Sequence, residues 1–111
     1  MTRISEDYLR DMYDAAKAVE AFIGTMTFAS FSRDEKTLYA VVRGLEIIGE
    51  ASKKIPKSLQ KQYPDIPWKL IAGMRDKLIH DYFGVDVKVV WRTAVEDIPM
   101  LKNALRSIVE Q

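Results

Sequence analysis

At 111 residues the chain has the size of one domain, able to bury one hydrophobic core and hardly two, so a single domain over residues 1–111 is expected. Apolar residues at 48% and charged residues at 30% exclude the disordered and fibrous classes. Lys and Arg number 17 against 16 for Asp and Glu, so the net charge of +1 supplies no whole-molecule field that would gather nucleic acid or anionic membrane, and any polyanion contact must be local.

The chain has no cysteine, which excludes disulfides, thiolate nucleophiles and the usual structural zinc sites together. Its start, Met1 to Asp7, turns acidic at once and lacks the apolar core of a signal peptide. No run approaches the ~18 apolar residues of a membrane span, so a cytoplasmic protein without membrane contact is expected.

Tyr8, Met12, Ala15, Val19, Phe22 and Met26 step by four and three, the spacing of one helical stripe, and predict a first helix from about Glu6 to Thr25 with Ser5 as its N-cap. After a loop, Ser32-Arg33-Asp34-Glu35 has the form of a capping box and predicts the start of a second helix. Its stripe is Leu38, Val41, Leu45, Ile48, Ser52 and Ile55, ended by Pro56; residues 57–63 allow one short helical piece.

Asp65-Ile66-Pro67 reads as a helix entry, with Trp68, Ile71, Met74 and Leu78 inward and fraying expected near Tyr82, Phe83 and Gly84, the glycine serving as a stop. Asp86 is expected to cap a last helix along Val87, Trp91, Ala94, Ile98, Leu101, Leu105 and Ile108, kinked by Pro99. No segment shows the period-two alternation of a half-buried strand. The expected fold is all-α, an antiparallel bundle of four main helices plus a short one.

His80 is the only histidine, so most metal sites fall away with the thiols. Glu46 and Glu50 could share a helix face, but no histidine stands at the offset a di-iron carboxylate bundle needs; no glycine-rich phosphate loop or His-Glu-x-x-His is present. Neither a metal nor a cofactor is expected. Between Ala51 and Pro64, Lys53, Lys54, Lys57 and Lys61 cluster without an acidic residue; they are candidates for RNA phosphate contact, against the competing reading of a solvated lysine-rich face.

The remaining cluster is Arg75, His80 and Tyr82. An imidazole moves protons near neutral pH and a guanidinium binds phosphate and stabilises added negative charge, which together suit phosphodiester cleavage without metal. The competing reading makes His80 a helix-dipole partner, Arg75 an ion-pair partner of Asp76 or Asp81, and Tyr82 a half-buried aromatic. On an ideal helix of about 100° per residue Arg75 and His80 stand ~140° apart, so a shared face requires the helix to be irregular or to end between them. Cleavage also needs both a base and an acid while one chain has one imidazole; a two-fold dimer would supply two.

Arg75-Asp76-Lys77-Leu78-Ile79-His80-Asp81-Tyr82 resembles the R-x-x-x-x-H-x-Y signature of HEPN domains, and in particular of the HepT-like toxins. The resemblance extends to Pro67 to Met74, to Phe83 to Asp86 and to Val42 to Ala51, and so covers nearly the whole chain. It implies a helical bundle that dimerises or assembles further and acts as a metal-independent endoribonuclease, with Arg75 and His80 catalytic; Asp76, by its place beside Arg75, either orients the guanidinium or is a solvated acid. It further implies a nucleotidyltransferase antitoxin as partner, which transfers AMP to Tyr82 and silences the nuclease. The alternative is a non-catalytic dimeric module that binds such a partner; the near-neutral charge speaks for the module, and the joint presence of Arg75 and His80 for the enzyme.

Overall fold

The computed structural model describes residues 3–74, 79–80 and 84–110. Its architecture is all-α apart from one minimal β pair. Helix α1 spans Arg3–Ile23, α2 Phe28–Ser32, α3 Glu35–Ser52, α4 Lys57–Gln60 and α5 Trp68–Ala72. Two-residue strands follow, β1 at Ile79–His80 and β2 at Gly84–Val85, and then α6 at Val87–Arg92, a π turn at Thr93–Asp97 and α7 at Ile98–Val109.

Helices α1, α3 and α7 form the frame, α1 lying between the other two. The predicted stripe of α1 is buried at Met12, Ala15 and Val19, but Phe22 is exposed and Ile23 turns inward in its place. Leu9, Tyr13 and Ala16 are buried as well, because a helix covered from two sides needs a stripe wider than one row of threes and fours. On α3 the stripe falls as predicted, with Val41, Leu45, Ile48 and Ser52 buried. Gly44 brings α3 close against α1: a Cβ there would stand 2.6 Å from Val19 Cγ2.

Helices α1 and α7 run antiparallel. Glu20 faces Lys102 (Nζ to Oε2, 2.6 Å), Tyr13 faces Arg106 (3.4 Å), and Arg10 donates to the Val109 carbonyl (3.1 Å), so residue numbers rise on one helix as they fall on the other.

Helix starts differ from expectation in instructive ways. Helix α1 already includes Arg3, so Ser5 is a buried helical residue rather than a cap. The predicted loop after α1 contains α2, whose N-cap Thr27 forms a capping box with Ser30. Ser32 ends that helix, its hydroxyl donating to the Ala29 carbonyl, and the cap of α3 is Asp34, which accepts from the Thr37 amide at 3.0 Å. Ser32 and Asp34 are both good caps; the turn of α2 consumes the first and leaves the second.

Asp86 caps α6 as expected, accepting from the Lys88 and Val89 amides. The predicted kink at Pro99 takes the form of the π turn. Proline lacks the amide for an i→i−4 bond, and its ring crowds the carbonyl four residues back, here that of Val95. The π turn relaxes the ladder just ahead of it, the Ile98 amide pairing with the Thr93 carbonyl five residues back, and Pro99 then occupies the first turn of α7.

Candidate active site

The segment after α5 departs most from expectation. The predicted helix through to Tyr82 is absent at His80: Ile79 pairs with Val85 and His80 with Gly84 in an antiparallel register. Isoleucine and valine suit an extended backbone, and Gly84, at φ +78°, adopts a conformation other residues rarely enter. Gly84 is therefore part of β2 and not a helix stop. A helical-wheel angle between Arg75 and His80 consequently has no meaning here, since His80 belongs to a strand. Arg75, Asp76, Leu78 and Tyr82, and the expected fraying at Tyr82 and Phe83, lie outside the described residues.

Both flanks of the motif are packed against the bundle. Ile71 and Met74 are buried as predicted, and Trp68 is half-buried, its indole Nε1 donating to the carbonyls of Gln60 (3.1 Å) and Tyr63 (3.0 Å). On the far flank Trp91 packs against Phe31 (5.2 Å between ring centroids) and edge-on to Phe28 (6.0 Å), which fixes α6 against α2. A cleft of about 430 Å³ is lined by Met74, which immediately precedes Arg75, and by Asp86, which follows β2, with Val89, Arg92 and Asp97 of α6 and the π turn opposite. Met74 and Asp86 thus bring the two sequence flanks of the motif to one cleft of mixed charge.

The four candidate lysines are all exposed. Lys53 and Lys54 follow α3, Lys57 opens α4 and Lys61 closes it. They do not act as one face: Lys53 and Lys57 line a second cleft of about 460 Å³, whereas Lys54 and Lys61 are not among its walls. That cleft has a third lysine, Lys69 of α5, which the sequence reading did not single out because it stands alone in a different helix. Spacing along the chain could not have joined it to the others. No described helix is long and apolar enough to cross a membrane.

The fold is that of a helical bundle, and comparison with known proteins defines the family. The model of the Ribonuclease HepT-like family matches residues 12–108, and the chain belongs to that family. It is 51% identical over 108 residues to "Probable ribonuclease HepT" of Thermococcus cleftensis, covering 97% of this chain and 98% of that one. It is 47% identical over 103 residues to "Putative RNase MJ1216" of Methanocaldococcus jannaschii (93% and 85% covered). Against "Putative RNase TTE0752" of Caldanaerobacter subterraneus the identity is 39% over 104 residues (94% and 93% covered). No solved structure matches the chain.

Proposed function

We propose that this chain is a metal-independent endoribonuclease, the toxin of a type VII toxin–antitoxin pair, acting in the cytoplasm as a homodimer with a composite site. The observation that carries the reading is that a chain of the HepT-like ribonuclease family holds Arg75, His80 and Tyr82 at the motif's spacing and has no second histidine. One His80 takes the proton of the RNA 2′-hydroxyl, whose oxygen attacks the neighbouring phosphorus. The bond from phosphorus to the 5′-oxygen breaks, leaving a 2′,3′-cyclic phosphate, and the second copy's imidazole, which starts protonated, donates a proton to the leaving oxygen. Arg75 stabilises the negative charge gathered on the phosphoryl oxygens, and Asp76 beside it serves to orient the guanidinium.

The nucleotidyltransferase antitoxin neutralises the nuclease by transferring AMP from ATP to the Tyr82 phenol oxygen, with pyrophosphate leaving. An added phosphate beside a phosphate-binding cleft repels RNA and blocks entry, which is a sufficient cause of inhibition.

Acid–base catalysis of this kind contributes about 10²–10⁴-fold, so His80→Ala is expected to lower RNA cleavage at least a hundredfold. Equal cleavage by parent and His80→Ala preparations would assign the activity to a contaminant. In that case the near-neutral charge favours the second reading, a non-catalytic dimeric module that binds a nucleotidyltransferase. Incubation with the cognate nucleotidyltransferase and ATP is expected to add AMP at Tyr82, read by peptide mass spectrometry. Neutralisation without modification of Tyr82 would mean inhibition by occlusion.

A further inference from the structure

Building on the ribonuclease reading, we infer that the cleft walled by Lys53, Lys57 and Lys69 around Trp68 holds the backbone of a single-stranded RNA segment as it approaches the motif. Three separate pieces of chain meet there, the end of α3, the start of α4 and the exposed side of α5. Among the described residues every charged group in the lining is a lysine, on a molecule whose charges otherwise nearly cancel. The cleft beside Met74 and Asp86 is of mixed charge, with Asp86 and Asp97 set against Arg92. Between the two, a polyanion is drawn to the lysine cleft.

Trp68 supplies the second feature. Its indole N–H is already spent on the Gln60 and Tyr63 carbonyls, so the ring is held in place while contributing an aromatic wall. A positive groove that also presents an aromatic surface is the combination that binds single strands, where phosphates meet cations and bases meet rings. Duplex RNA is instead gripped across about 16 base pairs, a span that a cleft of this size does not offer.

Position links the cleft to the chemistry. Ala72 lines it, and Arg75 is three residues further on, so the two Cα atoms are at most about 11 Å apart whatever path the chain takes. A strand lying on the lysines is therefore close enough to present its next phosphates to Arg75.

The test compares two charge-matched double variants in a His80→Ala background, which binds without consuming the RNA. One is Lys57→Gln with Lys69→Gln. The other is Arg33→Gln with Lys36→Gln, two exposed cations, Lys36 at the opposite end of α3, about 25 Å along that helix from Lys53, and Arg33 at the end of α2 just before it. Binding of a fluorescein-labelled single-stranded 20-mer RNA is followed by anisotropy over a salt series.

The cleft pair is expected to weaken binding about tenfold or more at low salt and to flatten the salt dependence by about 1.4 in log–log slope, the value for two lost phosphate contacts on a single strand. The control pair is expected to change affinity less than twofold. Equal losses in both variants, no loss in the cleft pair, no RNA binding at all, or a duplex of the same sequence bound as tightly would each overturn the inference. The ribonuclease reading fails separately: RNA held by the cleft, together with a His80-containing parent that cleaves nothing, removes the nuclease and leaves the cleft as an RNA site.

Discussion

Asp34 shows how much one carboxylate can decide. Its Oδ1 accepts from the Thr37 amide at 3.0 Å and its Oδ2 from the Thr37 hydroxyl at 2.8 Å, and these bonds, the backbone one first, hold its pKa below the ordinary 3.8. A depressed folded value means that the cap stabilises above the unfolded carboxylate pKa and loses that contribution as pH falls through the lower folded one. Asp34→Ala should therefore be less stable than the parent at about pH 7, with a deficit that shrinks at about pH 3, whereas the stability of Asp34→Asn relative to Asp34→Ala should depend little on pH. Thermal midpoints of the three proteins at both pH values check this; an Asp34→Ala deficit unchanged in acid would remove the cap from the account. Gly44 makes a second case. Alanine would gain about 1 kcal/mol in helix propensity but must push its Cβ into a fully buried valine, an overpacking cost of about 1–3 kcal/mol. Gly44→Ala is expected to lose about 1 kcal/mol net, about 4 °C in Tm. Gly49→Ala, whose Cβ would meet, among the described residues, only the Ile71 carbonyl at 3.4 Å, should retain the parent midpoint or exceed it.

Among the elements, those that bury a long apolar stripe are legible in the sequence, and those fixed by a turn or a crossing partner are not. The stripes of α3 and α7 fall where threes and fours put them, and α3 buries Val42, Gly49 and Ala51 beside its row because it packs against α2, α5 and α6 as well as α1. The start of α3 is misread because Ser32 and Asp34 are equally good caps on paper, and only the presence of α2 removes Ser32. The strands β1 and β2 leave no periodic signal, being two residues each; Gly84 is their one trace, and it reads equally well as a helix stop. For the site the sequence supplies the residue types through the motif, but Lys69 joins the lysines only once α5 folds back beside α4. The Glu20–Lys102 pair that ties α1 to α7 is likewise invisible at a separation of 82 residues. With side chains 29% and 19% exposed and a 2.6 Å contact, the pair should exceed an ordinary surface bridge. A double-mutant cycle of Glu20→Gln and Lys102→Met is expected to give a coupling of about 1 kcal/mol that persists in salt. A coupling that vanishes in about 0.5 M salt would class it with ordinary surface pairs.

For the molecule as a whole, the proposed chemistry turns on stoichiometry. In an in-line displacement the attacking 2′-oxygen and the leaving 5′-oxygen stand on opposite sides of phosphorus, so one imidazole per chain is badly placed to be both base and acid, and the proposed mechanism draws on two copies around one scissile bond. That requirement separates a composite site from two independent ones when parent protein is mixed with His80→Ala protein under conditions that exchange subunits. If each chain worked alone, activity would fall in proportion to the parent fraction. If both imidazoles serve one phosphate, a mixed dimer has lost its base or its acid, and only dimers of two parent chains remain fully active. Activity should then follow the square of the parent fraction, about a quarter of the starting rate in an equal mixture where independent sites would keep about half, because random pairing makes a two-parent dimer the product of two independent draws. The measurement is the initial rate of RNA cleavage at fixed total protein across the mixing series, with exchange checked by mass spectrometry on differently tagged chains. A linear series would show that one imidazole suffices, and the second proton would then have to move through water or through another group of the motif.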